Sequence, residues 1–134
     1  MGAPGAKAGD KINGIDTHII VVPSPGGPVP TPTPMPFVGT IAQNVAKGVF
    51  LQNKAAATQG SVAMNDPAHV PAGGSFMTPP SNKATVQRGS TSVFVENKPA
   101  ARMNDPAMTC NDPVDAPNGT VVVVGTPGTV FIGG

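Results

Sequence analysis

The chain has no tryptophan and no tyrosine, and it holds a single cysteine, a single leucine and a single glutamate among 134 residues. One cysteine excludes an internal disulfide, so Cys110 is a buried small residue, a reactive thiol or a metal ligand. With a net charge of +1, no Lys/Arg cluster and aromatic residues at only 4%, the chain offers no electrostatic footprint for nucleic acid and little surface for stacking bases. No apolar run approaches membrane-spanning length, which argues against stable membrane anchoring. The opening Met1-Gly2-Ala3-Pro4-Gly5 lacks the basic and apolar blocks of a secretory signal, so the expected place of synthesis and residence is the cytoplasm. Charged residues make up 11% of the chain, less than half the usual share of roughly 25%.

What the chain has in abundance is glycine and proline, 17 of each, together with 17 valines and six isoleucines. So much glycine and proline raises the entropy that folding must overcome, and a domain of this length buries only about two thirds of its unfolded surface. Something besides apolar burial is expected to help hold it. β-Branched side chains are stiff at their first torsion and fit a pleated sheet better than a helix, so the expected class is all-β. Short strands are expected around His18–Val22, Val49–Leu51, Val93–Val95, Val121–Val124 and Thr129–Ile132, the valine run being buried on both faces. Thr40 to Lys47 has some helical character but is too short to stand alone, and a loop or strand is an equal reading. The prolines between positions 23 and 36 are expected to form an extended, polyproline-like connector on a surface or edge, or else a docking motif.

The sequence repeats itself. Val49-Phe50-Leu51-Gln52-Asn53-Lys54-Ala55-Ala56-Ala57 returns as Val93-Phe94-Val95-Glu96-Asn97-Lys98-Pro99-Ala100-Ala101, and each copy runs into Met-Asn-Asp-Pro-Ala, at Met64 to Ala68 and Met103 to Ala107. His69 follows one of these blocks and Cys110 the other. Three acidic steps, Gly9-Asp10, Asn65-Asp66 and Asn104-Asp105, precede His18, His69 and Cys110 respectively. If the lobes are related by an approximate rotation, those three side chains converge on its axis. Imidazole nitrogen and thiolate sulfur meeting there suit Zn²⁺, which prefers four tetrahedral N/S ligands and stabilises folds too small to hold by burial alone.

Pro99-Ala100-Ala101-Arg102 spells the tetrapeptide that names the PAAR family, and it sits after a Val-x-Val-x-Asn strand and turn and before an acidic turn that leads to Cys110. The chain resembles that family over nearly its whole length, from Ala8-Gly9-Asp10 and His18, through the degenerate Ala55-Ala56-Ala57 copy with His69, to the terminal Phe131-Ile132-Gly133-Gly134. The resemblance implies a single domain over residues 1–134 with a proline-rich insert at about 23–36. It implies a small cone of short β-hairpins with pseudo-three-fold internal repeats and zinc near its tip. It further implies a spike-tip protein of a contractile injection system such as type VI secretion, one copy capping a trimeric β-helical spike, with effector proteins as further partners. Such a tip serves membrane puncture, is made in the cytoplasm and is delivered outside the cell with the particle. His18, His69 and Cys110 carry over as metal ligands, whereas the family's usual set of three histidines and one cysteine is one histidine short here. Asp112, Asp16, a water or another group is left to complete the shell. The proline-rich insert and the Asn-Asp-Pro turns also depart from the family pattern and mark the chain as PAAR-like.

A missing fourth ligand is also what a small zinc-dependent hydrolase would show, with an open coordination position. That chemistry needs a general base and a walled cleft, and a chain with one glutamate and little spare length supplies neither well. The expectation is therefore a structural protein and not an enzyme.

Overall fold

A computed structural model describes residues 2–124 and 130–134. Thr129, the expected start of the last strand, Gly125, the expected end of the valine run, and Met1 lie outside the described residues. Among the described residues every regular element is a strand, in the order β1 (Ala3–Pro4), β2 (Lys11–Val22), β3 (Val29–Gln43), β4 (Phe50–Leu51), β5 (Lys54–Ala55), β6 (Val62–Asn65) and β7 (Ser75–Phe76). There follow β8 (Lys83–Val86), β9 (Phe94–Val95), β10 (Lys98–Pro99), β11 (Pro106–Thr109), β12 (Ala116–Val122) and β13 (Phe131–Ile132).

Six strands close on themselves: β2 pairs with β3, then β6, β8, β11 and β12 follow, and β12 returns to β2. All these pairings are antiparallel. Closure removes most exposed edges, and the interior is filled by Ile12, Phe37, Ile41, Val86 and Val121 with the small Ala63, Ala84 and Ala107 between them. Of the valine run only Val121 is fully buried, and Val124 is exposed, so the expected strand buried on both faces is instead one wall of the ring. Thr40–Gln43 completes β3 and forms no helix; the strand stops where Asn44 takes a positive φ of 55°.

Pro23, Pro25 and Pro28 lie in the turn between β2 and β3; the rest of the proline-rich stretch is extended and on an edge, as expected, but as a paired strand and not a free connector. It is the outer half of β3, paired with β2 from Val22↔Val29 to Lys11↔Thr40. Pro30, Pro32, Pro34 and Pro36 stand opposite Val21, Ile19, Thr17 and Ile15. The N–H groups of Thr17 and Ile19 point away from β3, to Asn111 and Asp112, so these pairs are the non-hydrogen-bonded ones. Each proline thus places its missing donor on the free edge, and the ladder to β2 loses nothing.

The internal repeat is three-fold. The Ala6 amide donates to the Ala101 carbonyl at 2.9 Å, Ala101 to Ala57 at 3.0 Å, and Ala57 back to Ala6 at 2.9 Å, a cyclic ring of three buried alanines. Beyond each alanine lies the same turn: Asp10, Ser61 and Asp105 accept the amides of Lys7, Thr58 and Arg102 through their side chains. Gly9, Gly60 and Asn104 each take a positive φ and donate to the end of the returning strand, at Ile41, Val86 and Val121. Before each alanine lies a two-strand hairpin: β4–β5, β9–β10 and β13–β1, with registers Phe50↔Ala55, Phe94↔Pro99 and Phe131↔Pro4. The first two close through Gln52-Asn53 and Glu96-Asn97, both residues of each pair at positive φ, as a two-residue hairpin turn of this twist requires.

This corrects one sequence correspondence. Asp66 was expected to match Asp10 and Asp105, but the residue at that point is Ser61, and Asp66 is exposed. The physical reason is charge: Lys7 and Arg102 lie against Asp10 and Asp105 at 3.2 and 3.0 Å, whereas Thr58 brings no cation, so a hydroxyl suffices in the middle lobe. The block Asn65-Asp66-Pro67 instead matches Asn111-Asp112-Pro113. Asn65 Oδ1 accepts the Val38 amide and the Asp66 amide donates to the Val38 carbonyl; Asn111 and Asp112 do the same at Thr17.

Candidate metal centre

With the register corrected, His69 lies eight residues beyond Ser61, the same interval as His18 beyond Asp10. β2 carries His18 inward, the loop after β6 carries His69, and Cys110 follows β11 directly. The three come together. His18 and His69 have ring centroids 4.8 Å apart, and Cys110 Sγ is 3.7 Å from His18 Nε2.

A fourth donor joins them from β2. Asp16 is two residues before His18, and side chains at i and i+2 of a strand share a face, so both point inward. Asp16 Oδ2 is 3.0 Å from His69 Nε2 and accepts from the Cys110 thiol at 3.3 Å. One ligand atom from each of Asp16, His18, His69 and Cys110 lies within 4.8 Å of all the others. Asp16 stood among several options for the last place in the shell; the alternation Asp16-Thr17-His18 in a strand was the signal that singles it out.

Asp112, another of those options, lies outside the cluster. Its Oδ2 accepts the Ile19 amide at 2.9 Å and faces the far side of the His18 ring, 3.4 Å from Nδ1. On the far side of the other ring, Asn65 Nδ2 is 3.3 Å from His69 Nδ1. Both imidazoles are therefore contacted on both of their nitrogens, one facing the cluster and one facing outward.

The donor set fits an ion. Asp16 is fully buried, its Oδ1 has no hydrogen-bond partner, and its contacts are a thiol and an imidazole, with no Lys or Arg paired to it among the described residues. A carboxylate left so is costly to bury. Phe76 packs edge-on against His18 and Phe37 against His69, which keeps the surroundings apolar. Burial, then the negative charge of Asp16 and the hydrogen bond to it, push the Cys110 thiol up to about 12. A divalent cation among these groups would offset the carboxylate and favour the thiolate, which is the form that binds metal. All four donors come from the chain, and Asp16, His18 and Cys110 are buried. No protein-family model, curated protein or solved structure matches the chain.

Proposed function

We propose that this chain is a PAAR-like spike tip: one copy caps a trimeric β-helical spike of a contractile injection system and sharpens it for membrane puncture. The observation that carries the reading is the alanine ring, because a single chain that meets a trimer needs three equivalent faces. The three hairpins that flank the ring present Phe50, Phe94 and Phe131 at equivalent register positions, with exposures of 58%, 57% and 61%. Three large apolar side chains held outward at matching points of a pseudo-three-fold are suited to three identical apolar sockets. The reading places the protein in the cytoplasm on synthesis and then outside the cell with the particle, with effector proteins as further cargo.

Within that reading the four-residue cluster is a structural zinc site. Asp16, His18, His69 and Cys110 supply four ligands from three lobes, which ties distant parts of the chain together in the folded state only. A tip under load gains from such a tie. With four protein donors no coordination position is left over, which favours a structural centre over the hydrolase.

Co-expression with the spike trimer and native mass spectrometry tests the cap. One tip per three spike chains is the expected ratio; a three-to-three ratio, or no complex, overturns it. Elemental analysis of the purified protein tests the zinc, with one equivalent expected.

A further inference from the structure

We propose that the outer neighbours of the two histidines act in opposite senses: Asp112 presets His18 for an ion, and Asn65 presets His69 against one. The inference rests on the metal reading of the cluster and concerns how tightly that cluster binds.

His18 is buried, and its Nδ1 has no conventional hydrogen bond. The group facing that nitrogen is the Asp112 carboxylate at 3.4 Å, an acceptor only. A hydrogen on Nδ1 is attracted to it; a lone pair there is repelled. The neutral ring therefore carries its hydrogen on Nδ1 and turns the Nε2 lone pair toward Cys110 and Asp16, which is the tautomer a metal needs.

His69 is arranged the other way. Asn65 Oδ1 accepts the Val38 amide at 2.9 Å, so the amide group of Asn65 cannot be turned round without setting N–H against N–H. Its Nδ2 is thereby fixed toward His69 Nδ1 at 3.3 Å and toward Asn82 Oδ1 at 3.4 Å. A donor facing Nδ1 makes that nitrogen the acceptor, and the ring hydrogen sits on Nε2, where Asp16 Oδ2 accepts it at 3.0 Å. For Nε2 to take an ion, that hydrogen must pass to Nδ1. The ring's charge is unchanged, but Asn65 must give up its bond to His69 and turn away, against the pull of Val38. Asp16 and His69 thus form a latch in the metal-free protein, and Asn65 holds it shut.

The first test is direct. Long-range ¹H–¹⁵N spectra of the metal-free full chain report ring tautomers, and the expected result is hydrogen on Nδ1 of His18 and on Nε2 of His69. Hydrogen on Nδ1 of His69 overturns the proposal. The second test is Zn²⁺ affinity by chelator competition. Asn65→Asp supplies an acceptor where the donor stood and is expected to bind about 10–100-fold tighter than wild type; Asp112→Ala, which removes the oxygen that faces His18 Nδ1, about as much weaker. If wild type binds and Asn65→Asp is no tighter, this inference fails while the metal reading stands. Wild type that takes up no ion overturns the metal reading itself, and the roles given to Asp112 and Asn65 fall with it. The wild-type spectra need no variant to fold, so the tautomer assignment is decided in either case.

Discussion

Oδ2 of Asp16 lies 3.0 Å from Nε2 of His69, joining β2 to a loop that no backbone ladder ties to it at that point. The contact satisfies one oxygen of a fully buried carboxylate and leaves the other without a hydrogen-bond partner. An ion held by the four residues would offset the charge of that carboxylate. Asp16→Ala is therefore expected to lose Zn²⁺ affinity by more than the about 10–100-fold typical of an outer-shell change. Chelator competition reads the effect, and a Co²⁺ visible spectrum that stays tetrahedral and unchanged in the variant would count against Asp16 as a ligand.

The all-β class, the short strands at Phe50 and Phe94, and the meeting of His18, His69 and Cys110 were all legible in the residues, because valine content, the turn-forming Asn53 and Asn97, and the repeat each have a local physical cause. The register of the repeat was not. Met-Asn-Asp-Pro-Ala occurs twice as a string, yet Asp105 closes a turn while Asp66 is exposed, and the residue that matches Asp105 is Ser61. A serine can take the place of an aspartate once the neighbouring cation is gone, and no string comparison weighs that exchange. The third hairpin was hidden for another reason. Its two strands, at Ala3–Pro4 and Phe131–Ile132, come from opposite ends of the chain.

The prolines of β3 carry a prediction about self-association. Because Pro30, Pro32 and Pro34 put their nitrogens on the free edge, that edge has no N–H to offer a second chain. Replacing Pro32 and Pro34 together by valine restores two donors without touching the ladder to β2. The expected outcome is a monomeric wild type and a double variant that forms dimers or larger species at high concentration, as read by analytical ultracentrifugation. A double variant that stays monomeric throughout would show that the edge is protected by something else.

The alanine ring leaves no room for growth. Ala6, Ala57 and Ala101 are each at most 1% exposed, and their backbones are hydrogen-bonded to one another in a closed cycle. Ala57→Leu adds three carbons at that junction and is expected to cost about 1–3 kcal/mol, the usual range for overpacking. Urea denaturation measures it; a loss within about 0.5 kcal/mol, as for an ordinary surface change, would mean that the three lobes are less tightly joined than the hydrogen bonds imply.

Alkaline pH should weaken the metal-free protein through Cys110. Its thiol is raised from 9.0 to about 12 by burial first and by Asp16 second. The folded state therefore keeps its proton at pH values where the unfolded chain has lost it. The resulting contribution is full below pH 9.0 and is lost as pH rises toward 12, so Tm of the metal-free wild type is expected to fall across that window. Cys110→Ala has no thiol to titrate and should show a flatter profile there, although it starts lower because a buried group has been cut back. Equal slopes for the two proteins between pH 9.0 and 12 would place the alkaline sensitivity elsewhere.

Phe50, Phe94 and Phe131 should matter for binding and not for folding. Each is more than half exposed, so truncation removes little buried surface and Tm should stay close to that of wild type. If the three hairpins seat on a trimeric spike, each Phe→Ala change should weaken the complex by more than about 1 kcal/mol, roughly fivefold, and the triple variant should not co-purify at all. The three single variants should also lose similar amounts, since the partner's three sockets are identical and the three phenylalanines stand at equivalent register positions with similar exposure. Loss of binding from one phenylalanine alone would point to a one-sided contact and against a cap on the three-fold axis.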